Sequence, residues 1–447
     1  MRLSDLRGRR VVVWGTGREG RAAVTAIAAQ QPAELVAVED RPAGDALPWG
    51  GAPAEVAAVY TGEQAHERLL AAEVVVRSPG VPQTHPWVIE LRERGVPVTG
   101  GTALWMADHA ARTVGVTGSK GKSTTASLIS HLLTVLGRAN VFGGNIGVPL
   151  LNLPEADRYV LELSSYQCSD LTDSPRVAVV TSLFPEHLDA HGGEREYYRD
   201  KLNLIDHGPE VTVVNGTDPR LLAELGSRPA IRAGLPDGFH VASGPDGTAW
   251  VYAGDRPLFI RALLPLVGRH NESNLCVALT VLEALGIDCV AEHEALARAV
   301  ATFTGLPHRL AEIADPAGIT FVDDTLSTSP YSAMHAIEAY EDRPLTVIVG
   351  GADRGLDYTP LREHLAAREL TVIGVPDSGP RIIGELRDLP GVRAELAEDL
   401  VAAVRQARRL TPAGGVVLLS PAAPSYGQFR NFEHRSEVFA QAIRDTA

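Results

Sequence analysis

The fold is set by one segment, Val116-Thr117-Gly118-Ser119-Lys120-Gly121-Lys122-Ser123-Thr124, which joins an apolar run at 113–116 to a helical pattern at 123–136. Its two glycines let a loop wrap phosphate groups, while the Lys122 ammonium can reach a β- or γ-phosphate and the Ser123 hydroxyl can bind Mg²⁺. Val116 stands where the strict pattern has a glycine, and a solvated lysine–glycine turn is the plainer alternative. A strand, a glycine loop and a helix in this order favour an ATP-binding loop in an α/β domain.

A second glycine turn lies near the N-terminus. The segment Gly15-Thr16-Gly17-Arg18-Glu19-Gly20 follows a strand at 11–14 and opens a helix at 20–30, and a strand at 35–38 then ends in Glu39-Asp40. This order predicts a βαβ unit and matches the fingerprint of dinucleotide-binding proteins. The glycines require only that a phosphate or diphosphate can approach a helix N-terminus, so NAD, a UDP-sugar and a purely structural turn remain open.

Strands and helices alternate along most of the chain. Further strands are predicted at 74–76, 96–98, 159–163, 177–181, 211–215, 319–322, 345–349, 371–375 and 415–419, with an irregular strand-rich region at 230–267. Further helices are predicted at 87–94, 274–285, 292–303 and 330–340. Such alternation is typical of parallel, doubly wound sheets. We expect an α/β fold with three domains in series, a Rossmann-like domain at 1–100, a P-loop ATPase-type domain at 101–304 and a second Rossmann-like domain at 305–447.

Composition narrows the class of protein. The 447 residues include 41 Lys and Arg against 55 Asp and Glu, and this net charge of −14 argues against nucleic acid as a partner. Cys168, Cys276 and Cys289 form no C-x-x-C pair, which argues against a zinc site or a redox couple. No signal-peptide pattern and no apolar run of about 18 residues occurs. We therefore expect a cytoplasmic protein with no membrane insertion.

Two polar features of the central region have both a functional and a plainer explanation. Glu162 stands in an apolar strand, where a buried carboxylate needs a cation or strong hydrogen bonds. The run Pro185 to His191 gathers two histidines and two acids, and Lys201 follows it on a helical pattern. In isolation, both the run and Lys201 are typical of solvated surface.

Four polar segments lie further along the chain. The segment His270 to Asn274 precedes an apolar helix that Asn271 could simply cap, and Gly305 to Arg309 could be a linker or carry a ligand contact. Asp323-Asp324-Thr325 and Ser420-Pro421 each follow a strand, where doubly wound sheets bind ligands, although either could cap a helix.

Together and in this order, these segments resemble the Mur ligase family, ATP-dependent enzymes that add amino acids to the UDP-N-acetylmuramoyl peptide precursor of the bacterial cell wall. The resemblance covers nearly the whole chain and rests on 117–124, 144–147, 162–167, 186–189, 270–274 and 305–309, together with Lys201. The Ser78-Pro79-Gly80 turn, the segment Gly305 to Arg309 and the run Ser420 to Phe432 resemble the glutamate-adding branch in particular.

The resemblance implies three domains that bind UDP, ATP and the incoming amino acid, in that order. It assigns ATP to Gly118, Ser119, Lys120, Gly121, Lys122, Ser123, Thr124, Asn271, Asn274 and Arg309. It assigns the UDP-linked substrate to Gly15, Thr16, Gly17, Arg18, Glu19, Asp40, Arg41, Ser78, Pro79, Gly80, Asn145 and Gln167. The implied catalytic residues are Lys122, Glu162, His187 and Lys201. The implied ligands of two Mg²⁺ ions are Ser123, Glu162, His187 and Lys201, the last as a carbamate.

The implied reaction starts from a poor electrophile, because a free carboxylate does not react with an amine. ATP would first phosphorylate the terminal alanine carboxylate of UDP-N-acetylmuramoyl-L-alanine, and the amine of glutamate would then expel phosphate. Lys122 and Mg²⁺ would neutralise the developing charge, and closing domains would exclude water. The reaction belongs to peptidoglycan synthesis, and so to cell-wall biogenesis, cell shape and cell division.

The third domain departs from the pattern of familiar D-glutamate ligases. Leu326 and Arg354 stand where those enzymes have lysines, and the planar fork of arginine is not equivalent to an ammonium when it grips a carboxylate. The segments 326–330 and 423–427 resemble the branch that adds L-glutamate, whose product a separate epimerase inverts. We therefore expect L-glutamate, with D-glutamate as the alternative. The expected glutamate contacts are Thr328, Arg354, Ser425 and Phe432.

Three other classes of protein remain as alternatives. A nicotinamide-dependent oxidoreductase would account for the N-terminal turn but would leave the loop at 117–124 and Lys201 unexplained. A related ligase acting on folate or another acyl substrate would not account for the first-domain turn or the terminal run from Ser420. A non-catalytic nucleotide-binding regulator would leave the set Lys122, Glu162, His187 and Lys201 unexplained. We expect a monomer whose partners are its small-molecule substrates.

Overall fold

The computed structural model describes residues 1–41, 52–56, 58–145, 148–186, 188–425 and 427–446. They divide into two compact units, Met1–Leu264 with Ser273–Phe303, and Pro265–Glu272 with Thr304–Ala447. Four residues that the sequence analysis included in its motifs, Ile146, Gly147, His187 and Tyr426, lie outside the described residues. Within the described ranges, no helix combines the length with the apolar character that a membrane crossing requires.

A five-stranded parallel sheet opens the first unit. Its strands are β1 Arg10–Trp14, β2 Glu34–Glu39, β3 Val59–Thr61, β4 Val74–Arg77 and β5 Val98–Gly100, in the order β3-β2-β1-β4-β5. Its helices are α1 Arg18–Ala28, α2 Gly62–Ala71 and α3 Pro86–Glu93. The strand order reverses between β1 and β4, and Trp14 pairs with Arg77 at their carboxyl ends. Ligands bind at such a switch point, where the Gly15 and Ser78 turns begin.

A six-stranded parallel sheet forms the centre of the first unit. Its strands are β6 Thr113–Thr117, β7 Val141–Gly144, β8 Tyr159–Glu162, β9 Val177–Val180, β10 Val211–Asn215 and β11 Ile231–Ala233, in the order β11-β10-β9-β6-β8-β7. Its helices are α4 Gly101–His109, α5 Lys122–Val135, α6 Ser165–Cys168, α7 Leu188–His191, α8 Glu194–Leu202 and α9 Pro219–Leu225. Every residue of β6, β8 and β9 is buried, which explains why the sequences of these strands are mostly apolar.

The strand-rich region predicted at 230–267 contains β11 and then a three-stranded antiparallel sheet. Its strands are β12 Phe239–Ser243, β13 Ala249–Ala253 and β14 Arg256–Ile260. Two helices follow, α10 Arg269–Ala284 and α11 His293–Ala301. The first residues of α10 belong to the second unit and the remainder belongs to the first.

The second unit contains a six-stranded sheet in the order β15-β16-β20-β17-β18-β19. Its strands are β15 Ala311–Ala314, β16 Thr320–Asp323, β17 Leu345–Val349, β18 Leu370–Gly374, β19 Val392–Leu396 and β20 Val416–Leu419. Its helices are α12 Pro330–Glu338, α13 Thr359–Leu365, α14 Gly379–Leu386, α15 Leu400–Leu410 and α16 Phe432–Asp445.

The α/β fold class is confirmed, but four strands, β3, β7, β15 and β19, were not predicted. The edge strand β15 runs antiparallel to β16 because only the five residues 315–319 separate Ala314 from Thr320, too few for a parallel crossover. The strand predicted at 96–98 begins at Val98, since Pro97 has no N–H to donate and only its carbonyl pairs, with the Val75 N–H.

Candidate active site

The phosphate loop lies between β6 and α5, as the sequence predicts. Gly121 is the N-cap of α5 with φ +82°, and a Cβ there would lie 2.5 Å from the Asn274 side-chain oxygen. The N–H groups of Ser119 and Lys120 donate to the carbonyl and the hydroxyl of Ser182, each over 2.8 Å. The loop is therefore held in one shape before a helix N-terminus, which attracts phosphate.

Lys122 and Ser123 open α5. The Lys122 ammonium is partly buried and donates to the Ser119 carbonyl over 3.0 Å, and Ser123 is 2% exposed. Val116, which departs from the strict loop pattern, is fully buried inside β6. The strand continues to Thr117, so the turn begins at Gly118 and needs no glycine at 116.

Glu162 is the last residue of β8 and pairs with Val116 on the neighbouring strand, so the topology carries its carboxylate to the same sheet edge as the loop. The side chain is buried, and Asn145 Nδ2 donates weakly to Oε1 over 3.5 Å. Among the described residues, none donates to Oε2. A buried carboxylate oxygen without a donor is costly, so this side chain fits a cation.

Lys201 is buried on α8, where its ammonium donates to the Gly118 carbonyl over 2.7 Å and lies 4.8 Å from the centre of the Tyr197 ring. Burial, with the Lys122 charge as a second cause, lowers the pKa of Lys201 to about 7. A substantial fraction of this amine is therefore neutral and nucleophilic near neutral pH. The described residues contain no cluster of three or more His, Cys, Asp or Glu side chains that could hold a metal ion.

The N-terminal turn is closely packed against the Ser78 turn. The Ser78 N–H donates to the Trp14 carbonyl over 2.7 Å and its hydroxyl donates to the Gly15 carbonyl over 3.1 Å. Thr16 is buried, and both its N–H and its hydroxyl donate to Glu39 Oε1 over 2.5 Å. Thr16 therefore shapes the turn through Glu39, an acid that the sequence analysis passed over in favour of Asp40.

Asp40 has a histidine partner that the sequence analysis missed. Asp40 Oδ2 lies 2.7 Å from His85 Nε2, and His85 Nδ1 accepts the Trp87 N–H over 3.1 Å. Because Nδ1 is an acceptor, the ring proton is on Nε2 and is donated to the carboxylate. The proximity of His85 to the Ser78 turn was the only signal in the sequence.

A small cavity lies in the first unit between the N-terminal turn and α6. Its lining includes Glu19, Ser78, Pro79 and Gln167, four residues that the resemblance assigned to the UDP-linked substrate, and the neighbouring Gly20. Burial raises the pKa of the Glu19 carboxyl. The structure therefore brings these predicted residues together.

Two further charged residues line that cavity and were not predicted. Arg77 and Asp170 form a buried ion pair of 2.8 Å, and the Arg77 guanidinium also donates to Ser169 Oγ over 3.0 Å. The N-terminal and central regions have a second link, in which Arg18 donates to the Asn145 carbonyl over 3.2 Å. Asn145 in turn contacts Glu162, so this link connects the N-terminal turn to the carboxylate predicted to bind a metal ion.

The predicted glutamate contacts follow three neighbouring parallel strands of the second unit. Thr328 follows β16, Arg354 follows β17, and Ser425 and Phe432 follow β20, which lies between the other two. Ser425 is buried, Arg354 is exposed, and Thr328 and Phe432 are partly buried. The topology therefore brings all four residues to one edge of the sheet.

Arg435 was not predicted, although it connects the loops that follow β16 and β20. Its buried guanidinium donates to the hydroxyl and the carbonyl of Thr325, both over 2.7 Å, and to the Ala423 carbonyl over 3.2 Å. Burial lowers its pKa to about 10, an effect that Asp323 partly opposes. The Ser420 hydroxyl also donates to Asp324 over 2.9 Å, so the two polar segments that follow β16 and β20 are hydrogen-bonded to each other.

The remaining predicted residues lie in different units. Asn274 is buried in the first unit and accepts the Thr125 hydroxyl over 3.1 Å. Asn271 lies in the second unit, where its side-chain amide donates to the Val267 carbonyl over 2.7 Å. Arg309 is partly buried in the second unit, and Arg41 is partly buried in the first.

Two family models match the chain. A Mur ligase middle-domain model matches residues 116–282, and a model of the MurD-like Mur ligase N-terminal domain matches residues 9–100. The first match contains the phosphate loop, Glu162 and Lys201, and the second contains the N-terminal turn. These matches favour a ligase over the nicotinamide-dependent oxidoreductase.

Curated relatives align along the whole chain. Relatives named UDP-N-acetylmuramoyl-L-alanine--L-glutamate ligase occur in a Micromonospora species, at 77% identity over 100% of this chain and 99% of the relative, and in Salinispora tropica, at 75% identity over 100% of both. A relative of the same name in Xanthomonas oryzae is 38% identical over 99% of this chain and 96% of its own length.

Solved structures have the same fold. The Thermotoga maritima UDP-N-acetylmuramate-alanine ligase MurC aligns with a TM-score of 0.59 at 19% identity, over 98% of this chain and 100% of that one. The MurF ligase of Thermotoga maritima, in complex with ADP, aligns with a TM-score of 0.59 at 18% identity, over 100% of this chain and 97% of that one. From its domains and relatives, the chain belongs to the Mur ligase family and is an ATP-dependent ligase that forms an amide bond.

Proposed function

We propose that this enzyme joins UDP-N-acetylmuramoyl-L-alanine to L-glutamate through an acyl phosphate, with ATP converted to ADP and phosphate. The observation that carries the choice of L-glutamate is the name borne by relatives that are 77% and 75% identical along their full lengths. The replacement of two lysines by Leu326 and Arg354 supports it, because an altered carboxylate grip accompanies an altered amino acid.

The phosphate loop and α5 hold ATP in this proposal. Backbone N–H groups at the helix N-terminus and the Lys122 ammonium bind the β- and γ-phosphates. An alanine carboxylate oxygen attacks the γ-phosphorus, the bond to the bridging oxygen breaks, and ADP leaves. Lys122 stabilises the charge that accumulates on the phosphoryl oxygens during this transfer.

The residues present fit a divalent cation. Glu162 has a buried carboxylate oxygen with no donor among the described residues, and Ser123 offers a hydroxyl at the start of α5. In this proposal Ser123, Glu162, His187 and a carbamylated Lys201 hold two Mg²⁺ ions. When bound, Mg²⁺ supplies positive charge to the phosphoryl oxygens.

Carbamylation of Lys201 is supported by its burial and by its pKa of about 7. The neutral amine attacks CO₂, an N–C bond forms, and one amine proton is released to solvent. The side chain changes from a cation to an anion and keeps one N–H, which can still donate to Gly118. The product is an oxygen ligand of the kind that Mg²⁺ prefers.

The muramoyl substrate lies along the cavity beside Ser78 and Gln167 in this proposal, with its UDP portion at the N-terminal turn. Arg18 and Asn145 contact its alanine end near Glu162. Thr328, Arg354, Ser425 and Phe432 hold the carboxylates of L-glutamate. The glutamate amine attacks the acyl carbon, the phosphate leaves with the former carboxylate oxygen, and the amine proton passes to solvent.

The proposal also covers the roles of the domains, the oligomeric state, the cellular location and the fate of the product. Three functional domains, 1–100, 101–304 and 305–447, bind UDP, ATP and glutamate, respectively. The enzyme acts as a monomer in the cytoplasm, where ATP is available, and an epimerase that inverts the glutamyl residue consumes its product.

An isotope experiment tests the acyl phosphate. UDP-N-acetylmuramoyl-L-alanine labelled with ¹⁸O in its alanine carboxylate is incubated with ATP, Mg²⁺ and L-glutamate, and the released phosphate is examined by mass spectrometry. One ¹⁸O atom in each phosphate supports the proposal, because the attacking oxygen leaves with phosphorus. Phosphate that carries no ¹⁸O contradicts it.

A further inference from the structure

A buried chain of three polar side chains lies beside the candidate metal site and has no part in the proposed steps. Ser165 Oγ lies 3.0 Å from His191 Nε2, and His191 Nδ1 lies 2.7 Å from Asp200 Oδ2. The three residues are 2%, 4% and 5% exposed, respectively. Serine, histidine and aspartate hydrogen-bond in this order in the triads of acyl-transfer enzymes.

The hydrogen bonds fix the tautomer of His191. A carboxylate only accepts, so Nδ1–H donates to Asp200, and in this tautomer Nε2 of a neutral ring is free to accept the Ser165 O–H. The rings of Tyr166 and Tyr197 lie 4.9 and 5.3 Å from the imidazole, and Arg199 donates to the other Asp200 oxygen over 3.0 Å. One neutral imidazole therefore satisfies both neighbours.

Burial separates this chain from a catalytic triad. The neighbouring cavity is lined by Tyr166 and Gln167, whereas Ser165 is absent from its described lining. A serine that is 2% exposed and faces a histidine cannot approach an external acyl group without rearrangement. These three side chains therefore have a geometry suited to holding neighbouring segments in place and not to nucleophilic attack.

The three residues join the segments that carry the proposed metal ligands. Ser165 follows Glu162 by three positions, and Asp200 directly precedes Lys201 on α8. His191 ends α7, four positions after His187 in the sequence. Only Gly192 and Gly193 join α7 to α8, whereas Ser165 and His191 are 26 positions apart, so the contact between these two side chains links α6 to α7 without a short covalent connection.

We propose that His191 is a positioning residue for the metal site, and that its bonds to Ser165 and Asp200 fix Lys201 relative to Glu162. This inference rests on the proposed function, since it requires the Lys201 carbamate and the Mg²⁺ site. Partners in a ligand's outer shell typically change metal affinity or activity by about 10- to 100-fold when they are removed.

Two variants remove the link in different ways. His191→Phe keeps the ring contacts with both tyrosines but loses both hydrogen bonds, and Ser165→Ala loses one bond and only one oxygen atom. The readouts are the ¹³C carbamate signal under ¹³CO₂, Mn²⁺ affinity by electron paramagnetic resonance, and separate kcat and KM values. We expect weaker Mn²⁺ binding and a kcat reduced by about 10-fold or more, with the KM for the UDP-linked substrate nearly unchanged.

Asp200 provides a conservative rescue. Asp200→Leu removes the acceptor and should reproduce the His191→Phe defect, whereas the side-chain oxygen of Asp200→Asn still accepts from Nδ1–H and should restore most of the carbamate signal and kcat. His207→Asn is the matched control, because the His207 side chain is exposed and bonds Asn203 one turn away, outside the chain of three polar side chains. It should match the parent in every readout.

Measurements on the parent enzyme distinguish a failure of the positioning role from a failure of the proposed metal site. A parent that shows a carbamate and binds Mn²⁺, with folded His191→Phe and Ser165→Ala variants that match it within about twofold, would overturn the positioning role alone. A parent that shows no carbamate would overturn the proposed metal site and this inference with it. If His191→Phe does not fold, Ser165→Ala and the Asp200 pair decide the question.

Discussion

The Lys201 ammonium donates a 2.7 Å hydrogen bond to the carbonyl oxygen of Gly118, the residue at which the phosphate loop leaves β6. This bond joins two residues that are 83 positions apart in the sequence. It places the buried amine, with its lowered pKa, against the loop proposed to bind ATP. The proposed carbamate site is therefore in direct contact with the proposed nucleotide-binding loop.

Folding stability should depend on pH through Lys201. Its folded pKa of about 7 lies below the ordinary value of 10.5, so between these values the unfolded chain binds more protons than the folded chain. The free energy of unfolding should then rise with pH, by about 1.4 kcal/mol per unit from this group. Urea unfolding from pH 7 to 9 under CO₂-free conditions measures it.

The control for this prediction is Lys201→Met, which fills the same space without a titrating group. The difference in unfolding free energy between parent and variant should shrink as pH rises from 7 towards 10. A difference that stays constant over this window would show that Lys201 titrates at its ordinary value.

Gly121→Ala should weaken ATP binding. The residue has φ +82°, which costs an L-amino acid about 1–2 kcal/mol, and its Cβ would press on Asn274 next to the loop. We expect a lower free energy of unfolding and a clearly raised Kd for ATP in calorimetry.

Gly137→Ala is a matched control for Gly121→Ala. Gly137 has φ +72°, but a Cβ there would meet no atom within 4 Å. Its variant should lose similar stability and keep the parental Kd for ATP. Equal ATP affinities in the two variants would mean that the shape of the loop at Gly121 does not matter for the nucleotide.

His85→Phe should raise the KM for the UDP-linked substrate. The Nε2–H of His85 orients the Asp40 carboxylate over 2.7 Å, and loss of such a bond costs about 1 kcal/mol or more, or about fivefold in affinity. The kcat should change little, because the proposal assigns Asp40 to the UDP portion of the substrate and not to the reacting groups. His66→Phe serves as the control, since His66 stacks on Trp87 without contacting Asp40. A parental KM in His85→Phe would remove this role.

Arg435→Lys should impair the use of glutamate but not of ATP. A lysine cannot reproduce the fork that joins Thr325 to Ala423, so the loops after β16 and β20 lose part of their connection. We expect the KM for glutamate to rise by about tenfold, from the loss of roughly 1–2 kcal/mol. Arg444→Lys, on the exposed face of α16, should behave as the parent does. An unchanged KM for glutamate in Arg435→Lys would show that this edge is not the glutamate pocket.

Local sequence patterns predicted the βα loops well. The loops at 15–20 and 118–121 combine glycines with a preceding apolar strand, and each of these signals lies within about ten residues. The element ends were each off by one residue, because the strand predicted at 159–163 ends at Glu162 and the helix predicted from Ser123 begins at Lys122. Glycine turns and strand ends are local features, so a single sequence is enough to find them.

The residues that the sequence did not reveal depend on distant partners. Arg77 pairs with Asp170 across 93 positions, and Arg435 bonds Thr325 across 110. Each reads in the sequence as an ordinary charged residue, and only tertiary packing buries it. The position of Arg435 on the buried face of α16, four residues before Phe439, was a weak signal. The edge strand β15 was missed because it has only four residues, Ala311–Ala314, of which two are half-buried and two are exposed.

The choice of amino acid is the central claim, and one measurement addresses it directly. Phosphate release is followed with the purified enzyme, ATP, Mg²⁺, UDP-N-acetylmuramoyl-L-alanine and either L- or D-glutamate, with the product identified by mass. We expect turnover with L-glutamate and a product heavier by one glutamyl residue, with no comparable turnover with D-glutamate. Turnover with D-glutamate alone would contradict it and would make Leu326 and Arg354 tolerated variants of an ordinary D-glutamate pocket.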